Sequence, residues 1–334
     1  MKIHHLLMIW LIFFNCLASC KGQPRYGDSL LKLDKTILLK DVKGRIDHMD
    51  INQEDQVIYV AALGNNTVEA VDLRNSKIIG SIKNLDEPQG VCYIPQHHEI
   101  FIANGGNGAC YFYNARSLEK TATVSLESDA DDVRYDETAK KIYVGYGAGG
   151  IAVIDADTHL QTGDVKLPGH PESFQVDANL QLLFVNIPDA RMVAAIDLVQ
   201  LKVINKWTRD SPAANFPMAI DSVRHQLFIG YRHPPKLIIM DGQNGREINS
   251  ISIAGDADDL YFDRTSGKIY VSGGDAYINI FQFDGLNTSK QIANIATSAG
   301  ARTSLLIPGL KLFVVAARAT AEKSARLLVY KIVE

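Results

Sequence analysis

Lys141-Ile142-Tyr143-Val144-Gly145-Tyr146-Gly147-Ala148-Gly149-Gly150-Ile151-Ala152-Val153-Ile154-Asp155 reads as two short strands, split by a glycine-rich break and closed by an acid. The pattern recurs along the chain. Tyr143 belongs to an aromatic column of Tyr59, Phe101, Tyr143, Phe184, Phe228, Tyr270 and Phe313, at steps of 42, 42, 41, 44, 42 and 43 residues. Asp155 belongs to a second column of Asp72, Asn114, Asp155, Asp197, Asp241 and Asp284, at steps of 42, 41, 42, 44 and 43. Two columns in step mean one structural unit copied seven times. A period of about 40–45 residues with strand-like content is that of propeller blades.

The rest of the unit surrounds the quoted stretch. Val133-Arg134-Tyr135 is a first strand, Asp136 to Ala139 a turn, and Thr162 to Leu167 a weaker fourth strand. The second strand is apolar on both faces, as in a sheet packed between two others. The aromatic column is therefore read as core between blades, with no ligand role. The expected fold class is all-β, a seven-bladed β-propeller. The last copy stops after its third strand, Arg326-Leu327-Leu328-Val329-Tyr330. The offset of fourth strands elsewhere points to Lys35-Thr36-Ile37-Leu38-Leu39. An N-terminal strand at about residues 33–42 is thus predicted to complete the seventh blade and remove the open sheet edges.

Lys2, the apolar run Leu6 to Phe14 and Leu17-Ala18-Ser19-Cys20 form a segment too short to span a bilayer. Leu-Ala-Ser-Cys resembles the lipobox of bacterial lipoproteins, which implies cleavage before Cys20 and a lipid on its thiol. The expected organisation is a signal peptide at 1–19, a lipidated Cys20 with a polar tether to residue 29, and one propeller domain at 30–334. The expected place is the bacterial envelope, anchored to the outer membrane on its periplasmic face or at the cell surface. The chain carries 34 basic and 38 acidic side chains. Losing Lys2 with the leader takes the formal charge from −4 to −5, which gives no electrostatic support for nucleic-acid binding. Cys92 and Cys110 fall on the first and third strands of the second blade, with a strand between them. Strands about 4.8 Å apart put them beyond disulfide reach, so two buried free thiols are expected.

The segments Lys141-Ile142-Tyr143-Val144 and Ile151-Ala152-Val153-Ile154-Asp155 resemble the YVTN-repeat, YncE-like β-propeller family, which has a Tyr-Val-Thr-Asn and a Val-x-Val-Ile-Asp strand in each of seven blades. Phe101-Ile102-Ala103-Asn104 keeps the terminal Asn; Tyr59-Val60-Ala61-Ala62 and Tyr270-Val271-Ser272-Gly273 do not. The resemblance runs from about residue 30 and implies the fold and an envelope setting. It supplies no catalytic set.

A site is sought where loops lead into the first strands. Twelve residues before the aromatic column stand Asp47, Gln89, Asp131, Glu172, Phe216 and Asp258, with Arg302 in the seventh blade; one residue on lie His48, Gly90, Asp132, Ser173, Pro217, Asp259 and Thr303. Blades three and six both read Asp-Ala-Asp-Asp, at 129–132 and 256–259. Ligand-binding candidates are Asp47, His48, Asp131, Asp132, Glu172, Tyr231, Arg232, Asp258, Asp259 and Arg302. No cofactor is predicted. Crowded carboxylates repel and a cation relieves them, so Asp131, Asp132, Asp258 and Asp259 are the candidates for a divalent cation. The same acids also suit capped turns that face water. His48, His170 and His233 come from three blades and read more simply as surface histidines.

Gly-x-Ser-x-Gly, His-Glu-x-x-His, Gly-Lys-Ser/Thr and Cys-x-x-Cys are absent. The reading that follows is a membrane-anchored, non-catalytic propeller that binds a small polar or cationic ligand, or an envelope protein, through its funnel. A lactonase or cycloisomerase type of enzyme is the alternative, with Glu172, His170, Arg191 and Arg302 as catalytic candidates. Nucleic-acid binding is a third reading, opposed by the acidic rim.

Overall fold

The structure is a computed structural model and describes residues 30–286 and 289–333. The expected signal peptide, Cys20 and tether lie outside the described residues. The described chain forms seven four-stranded antiparallel sheets, the blades of one propeller. Strands of each blade are lettered a to d from the central channel outward. Strand a is Met49–Asn52 in blade one, then Pro88–Ile94, Ala130–Asp136, Phe174–Asp177, Ala213–Asp221, Ala257–Asp263 and Ser304–Ile307.

The aromatic column occupies strand b of every blade and is buried throughout. Each residue packs between neighbouring blades, as Tyr143 does with Phe174, Val185 and Ile196. The acid column ends strand c, where it caps the turn to strand d. Asp72 accepts the Asn75 N–H at 2.9 Å, Asp155 the Thr158 N–H at 2.8 Å, and Asp284 the Leu286 N–H at 2.8 Å. These Asx turns explain the choice of Asp or Asn at a position with no packing role.

Ring closure follows the predicted route. Leu31–Leu39 pairs antiparallel with Ala325–Ile332, from Leu31 opposite Ile332 to Leu39 opposite Ala325. The strand starts two residues earlier than expected and stops at Leu39, because the chain turns there with Val42 N–H bonded to the Leu39 carbonyl. Ile37 and Leu39 are fully buried in the cluster joining blades seven and one, beside Ile58, Val60 and Leu327. Cys92 and Cys110 are buried free thiols on strands a and c of blade two. Burial pushes both thiols well up, as expected of inert core cysteines.

Candidate functional site

The residues at one mouth of the channel sit where strand a slips against strand b. Pairing jumps from Ala130 opposite Tyr146 to Val133 opposite Val144, which leaves Asp131 and Asp132 outside the ladder. The same jump frees Gln89 and Gly90 in blade two, Phe216 and Pro217 in blade five, and Asp258 in blade six. Such bulges bend a strand and re-aim its side chains. In blades one and four, Asp47 N–H bonds the Ala61 carbonyl at 2.8 Å and Glu172 N–H the Asn186 carbonyl at 3.0 Å. Gly90 is glycine for a local reason: a Cβ there would lie 2.1 Å from the Asp131 carbonyl oxygen of the next blade. The channel behind this mouth holds about 570 Å³ and is lined by His48 and by strand a residues including Asp50, Asp132, Arg134, Gln175, Asp259 and Tyr261.

Three linked groups occupy the mouth. Asp47 lies 2.8 Å from Arg45 and 3.6 Å from His48 Nδ1. His48 Nε2 is 3.5 Å from Asp132, which is ion-paired with Arg134. Arg134 also donates to the Val133 carbonyl at 2.8 Å and to Ser173 Oγ at 3.3 Å. In the second group, His170 Nδ1 is 2.6 Å from the Gly147 carbonyl, so that nitrogen carries the proton. His170 Nε2 is then 3.6 Å from Asp131. In the third, Asp258 is shared by Arg232 and Arg302, with Arg302 Nε at 2.8 Å, and Arg302 also reaches Asp256 at 2.7 Å. Arg232 stacks 3.6 Å above the Phe216 ring. Carboxylates outnumber guanidiniums, and several carboxylate oxygens are left over. Asp131 Oδ1 and Asp132 Oδ2 are buried without a hydrogen-bond partner, and Asp47 Oδ2 has the half-exposed Arg45.

Crowding shows in the protonation states. Burial, with Asp131 nearby, pushes Asp47 and Glu172 up to about 7. Loss of solvent inside the channel, with Asp258 nearby, pushes Asp259 to about 7. Burial pulls His48 down, but Asp132, Asp47 and Asp131 outweigh it and leave it at about 9. His170 behaves likewise: burial lowers it, while Asp131 and the Gly147 carbonyl raise it to about 9. A carboxyl raised in the folded state contributes stability that is complete below its unfolded value and lost as pH rises through its folded one. For Glu172 that window runs from 4.5 to about 7. Raising the pH from ~5.5 to ~8 should therefore remove about 2 kcal/mol through this group. Glu172→Gln should flatten the stability profile by that amount in urea unfolding at the two pH values. An unchanged slope would show that Glu172 is not held protonated.

Most of the predicted residues gather here. Asp47, His48, Asp131, Asp132, Glu172, Arg232, Asp258, Asp259 and Arg302 interact within the mouth or line the channel behind it. Tyr231 does not. It is buried between blades four and five with Phe184 and Val193, because it shares the face of Leu227 and Ile229 on strand b while Arg232 takes the opposite face. Arg191 is exposed in a turn of blade four, between Leu182–Ile187 and Met192–Asp197, and makes none of the contacts of the mouth. His233 is exposed, whereas His48 and His170 are built into the mouth. The four acids expected around a cation do not share one point. Asp258 is taken by two arginines, Asp132 by Arg134, and Asp259 accepts the Ser304 N–H at 2.6 Å. Among the described residues, the group with ligand atoms within 4.8 Å of one another is Asp47, His48 and Asp131.

Arg134 and Arg45 were not legible as members. Arg134 lies in strand a, where one residue in two faces the channel, and its spacing from Asp132 is the only signal. Bonds between adjacent blades were likewise hidden. Asp50 accepts the Tyr93 N–H at 2.7 Å, Gln175 donates to the Met218 carbonyl at 2.8 Å, and Tyr261 to the Ser304 carbonyl at 2.7 Å. Each step spans 43 residues, so the period was present, but the residue types differ from blade to blade.

No family model matches the chain, and no curated protein matches it. Solved structures do. A chain from a crystal structure of a mitotic checkpoint complex aligns over 99% of this chain and 99% of its own length, with a TM-score of 0.78 and 14% identity. Kuenenia stuttgartiensis hydrazine synthase aligns over 88% of this chain and 98% of its own, with a TM-score of 0.75 and 13% identity. At these identities the likeness shows the fold alone. The chain is a seven-bladed β-propeller.

Proposed function

We propose that this protein is a non-catalytic β-propeller of the YVTN-repeat kind, held at the bacterial envelope by lipid on Cys20, whose channel mouth binds a small cationic ligand or a basic segment of an envelope partner. One observation carries the binding reading: buried carboxylate oxygens of Asp131 and Asp132 lack hydrogen-bond partners around a common opening. An unsatisfied buried polar group costs about 1–3 kcal/mol, more when charged. A cation that supplies the missing donors recovers that energy, which is the thermodynamic basis of affinity here. The anchor rests on Leu17-Ala18-Ser19-Cys20, and the family on the repeated strand motifs.

The enzyme reading is favoured by Glu172, held at about 7 beside Asp131 and His170, a range that suits a general base. Arg191 stands outside that set, and Arg232 and Arg302 are the guanidiniums at hand. Thermal unfolding of the full chain with spermidine, a short oligolysine peptide and sugar lactones separates the two. A ligand at one hundred times its dissociation constant should stabilise by about 2.7 kcal/mol. The expected result is a rise in Tm with the cations, lost in Asp131→Asn/Glu172→Gln. Lactone turnover lost in Glu172→Gln would put the enzyme first. No shift with either cation would reject the cationic-ligand reading.

A further inference from the structure

Resting on the reading of the mouth as a cation site, we propose that Asp47, His48 and Asp131 form the binding centre for a first-row divalent transition metal ion. Their ligand atoms lie within 4.8 Å of one another. Bonds of about 2.0–2.2 Å place ligand atoms roughly 3–4 Å apart, so a modest side-chain rotation brings them onto one ion.

Proximity of acids alone would not carry this. Two of the three residues have a buried atom without a hydrogen-bond partner, His48 Nδ1 and Asp131 Oδ1, and the third, Asp47, turns its Oδ2 to Arg45. Asp47 is only 3% exposed. Its cationic neighbour Arg45, 2.8 Å away, has its side chain 45% exposed, so that pair is weakly held by solvent-screened charge. The remaining atoms are already engaged. His48 Nε2 faces Asp132 at 3.5 Å, and Asp132 is fixed by Arg134. A metal-bound histidine almost always gives its second ring N–H to a carboxylate, which sets its tautomer and orientation. The chain Arg134, Asp132, His48 supplies that support and leaves Nδ1 for the ion. Asp131 repeats the arrangement, with Oδ2 towards His170 at 3.6 Å and Oδ1 without a partner.

The donor set selects the ion. One imidazole and two carboxylates suit Mn²⁺ to Zn²⁺ better than Ca²⁺ or Mg²⁺, which take oxygen ligands, and no thiolate is present for soft ions. Three protein ligands leave coordination positions for water or for a ligand atom entering from the funnel.

The test is titration of CoCl₂ into the chelator-stripped full chain, read by visible absorption and calorimetry. The expected result is roughly one bound ion per chain, with affinity falling by roughly 100-fold or more in both His48→Asn and Asp131→Asn. Asp129→Asn, at the half-exposed rim, should bind as the parent does. Circular dichroism and melting of each variant establish that it is folded. No stoichiometric cobalt binding, or binding unchanged in folded His48→Asn and Asp131→Asn, would overturn the proposal. If the polyamine shift persists without cobalt binding, the metal centre is rejected and the cationic-ligand reading stands. If both are absent, both are rejected.

Discussion

Deletion of residues 30–42 should leave a chain that no longer unfolds as one cooperative unit. The segment contains Leu31–Leu39, the outermost strand of blade seven, paired along its length with Ala325–Ile332. It carries Leu31, Ile37, Leu39 and Val42, all buried. Lys35 also reaches across to the Leu73 carbonyl of blade one at 2.6 Å. Full burial of an aliphatic side chain stabilises by about 1.5–3 kcal/mol, so these four alone approach the ~5–15 kcal/mol by which a native domain is stable. The loss is also topological. Blade seven would keep strands a to c against blades six and one but lose the strand that ties the two ends of the chain into one sheet, and Ala325–Ile332 would become an exposed edge, a template for association between chains. The deleted chain is expected to elute as oligomers in size-exclusion chromatography and to lose its sharp thermal transition. Ile37→Ala, which keeps the strand, should cost about 2–5 kcal/mol and remain monomeric. A deleted chain that stayed monomeric with the parent Tm would mean that the ring closes without this strand.

The strand was legible because ring closure is a counting problem. Six copies have four strands, the last has three, and the missing one must lie at the other end of the chain. The aromatic column was legible for a related reason: strand b packs on both faces, so every copy needs the same kind of residue. The mouth follows different rules. Its positions could be found by stepping back from Tyr59 or Tyr143, but their contacts depend on bulges at Asp131 and Asp258 that no residue type announces. Whether carboxylates converge is decided by which cationic side chain reaches which acid across the boundary between blades. Arg232 and Asp258 come from adjacent blades, as do His170 and Asp131. Tyr231 was readable in principle. Alternation along Leu227, Phe228, Ile229, Gly230, Tyr231 and Arg232 places it on the face opposite Arg232.

Arg134→Met should be the most destabilising single substitution among the mouth residues, at about 3–5 kcal/mol. Arg134 is the fixed counter-charge of Asp132, whose side chain is 3% exposed. Its guanidinium lies 5.6 Å from the Phe174 ring and bonds Ser173 of the next blade, so methionine conserves much of the packing and removes the charge. What remains is a buried carboxylate whose Oδ2 already lacks a partner and whose Oδ1 keeps the Val133 N–H at 2.9 Å and His48 at 3.5 Å. Asp132→Asn/Arg134→Met should be more stable than Arg134→Met alone, because the second change removes the stranded charge. That sign of non-additivity distinguishes charge pairing from lost packing, for which the two substitutions would add. The variant also probes the site. If a metal ion occupies the mouth, CoCl₂ should stabilise the parent protein more than Arg134→Met, since the substitution removes the group that fixes Asp132 behind His48. Denaturant unfolding of the four members of the cycle, with and without CoCl₂, reads both effects. Equal losses for Arg134→Met and the double variant would mean that Asp132 is not held as a charged group, and that the arginine is there for its packing.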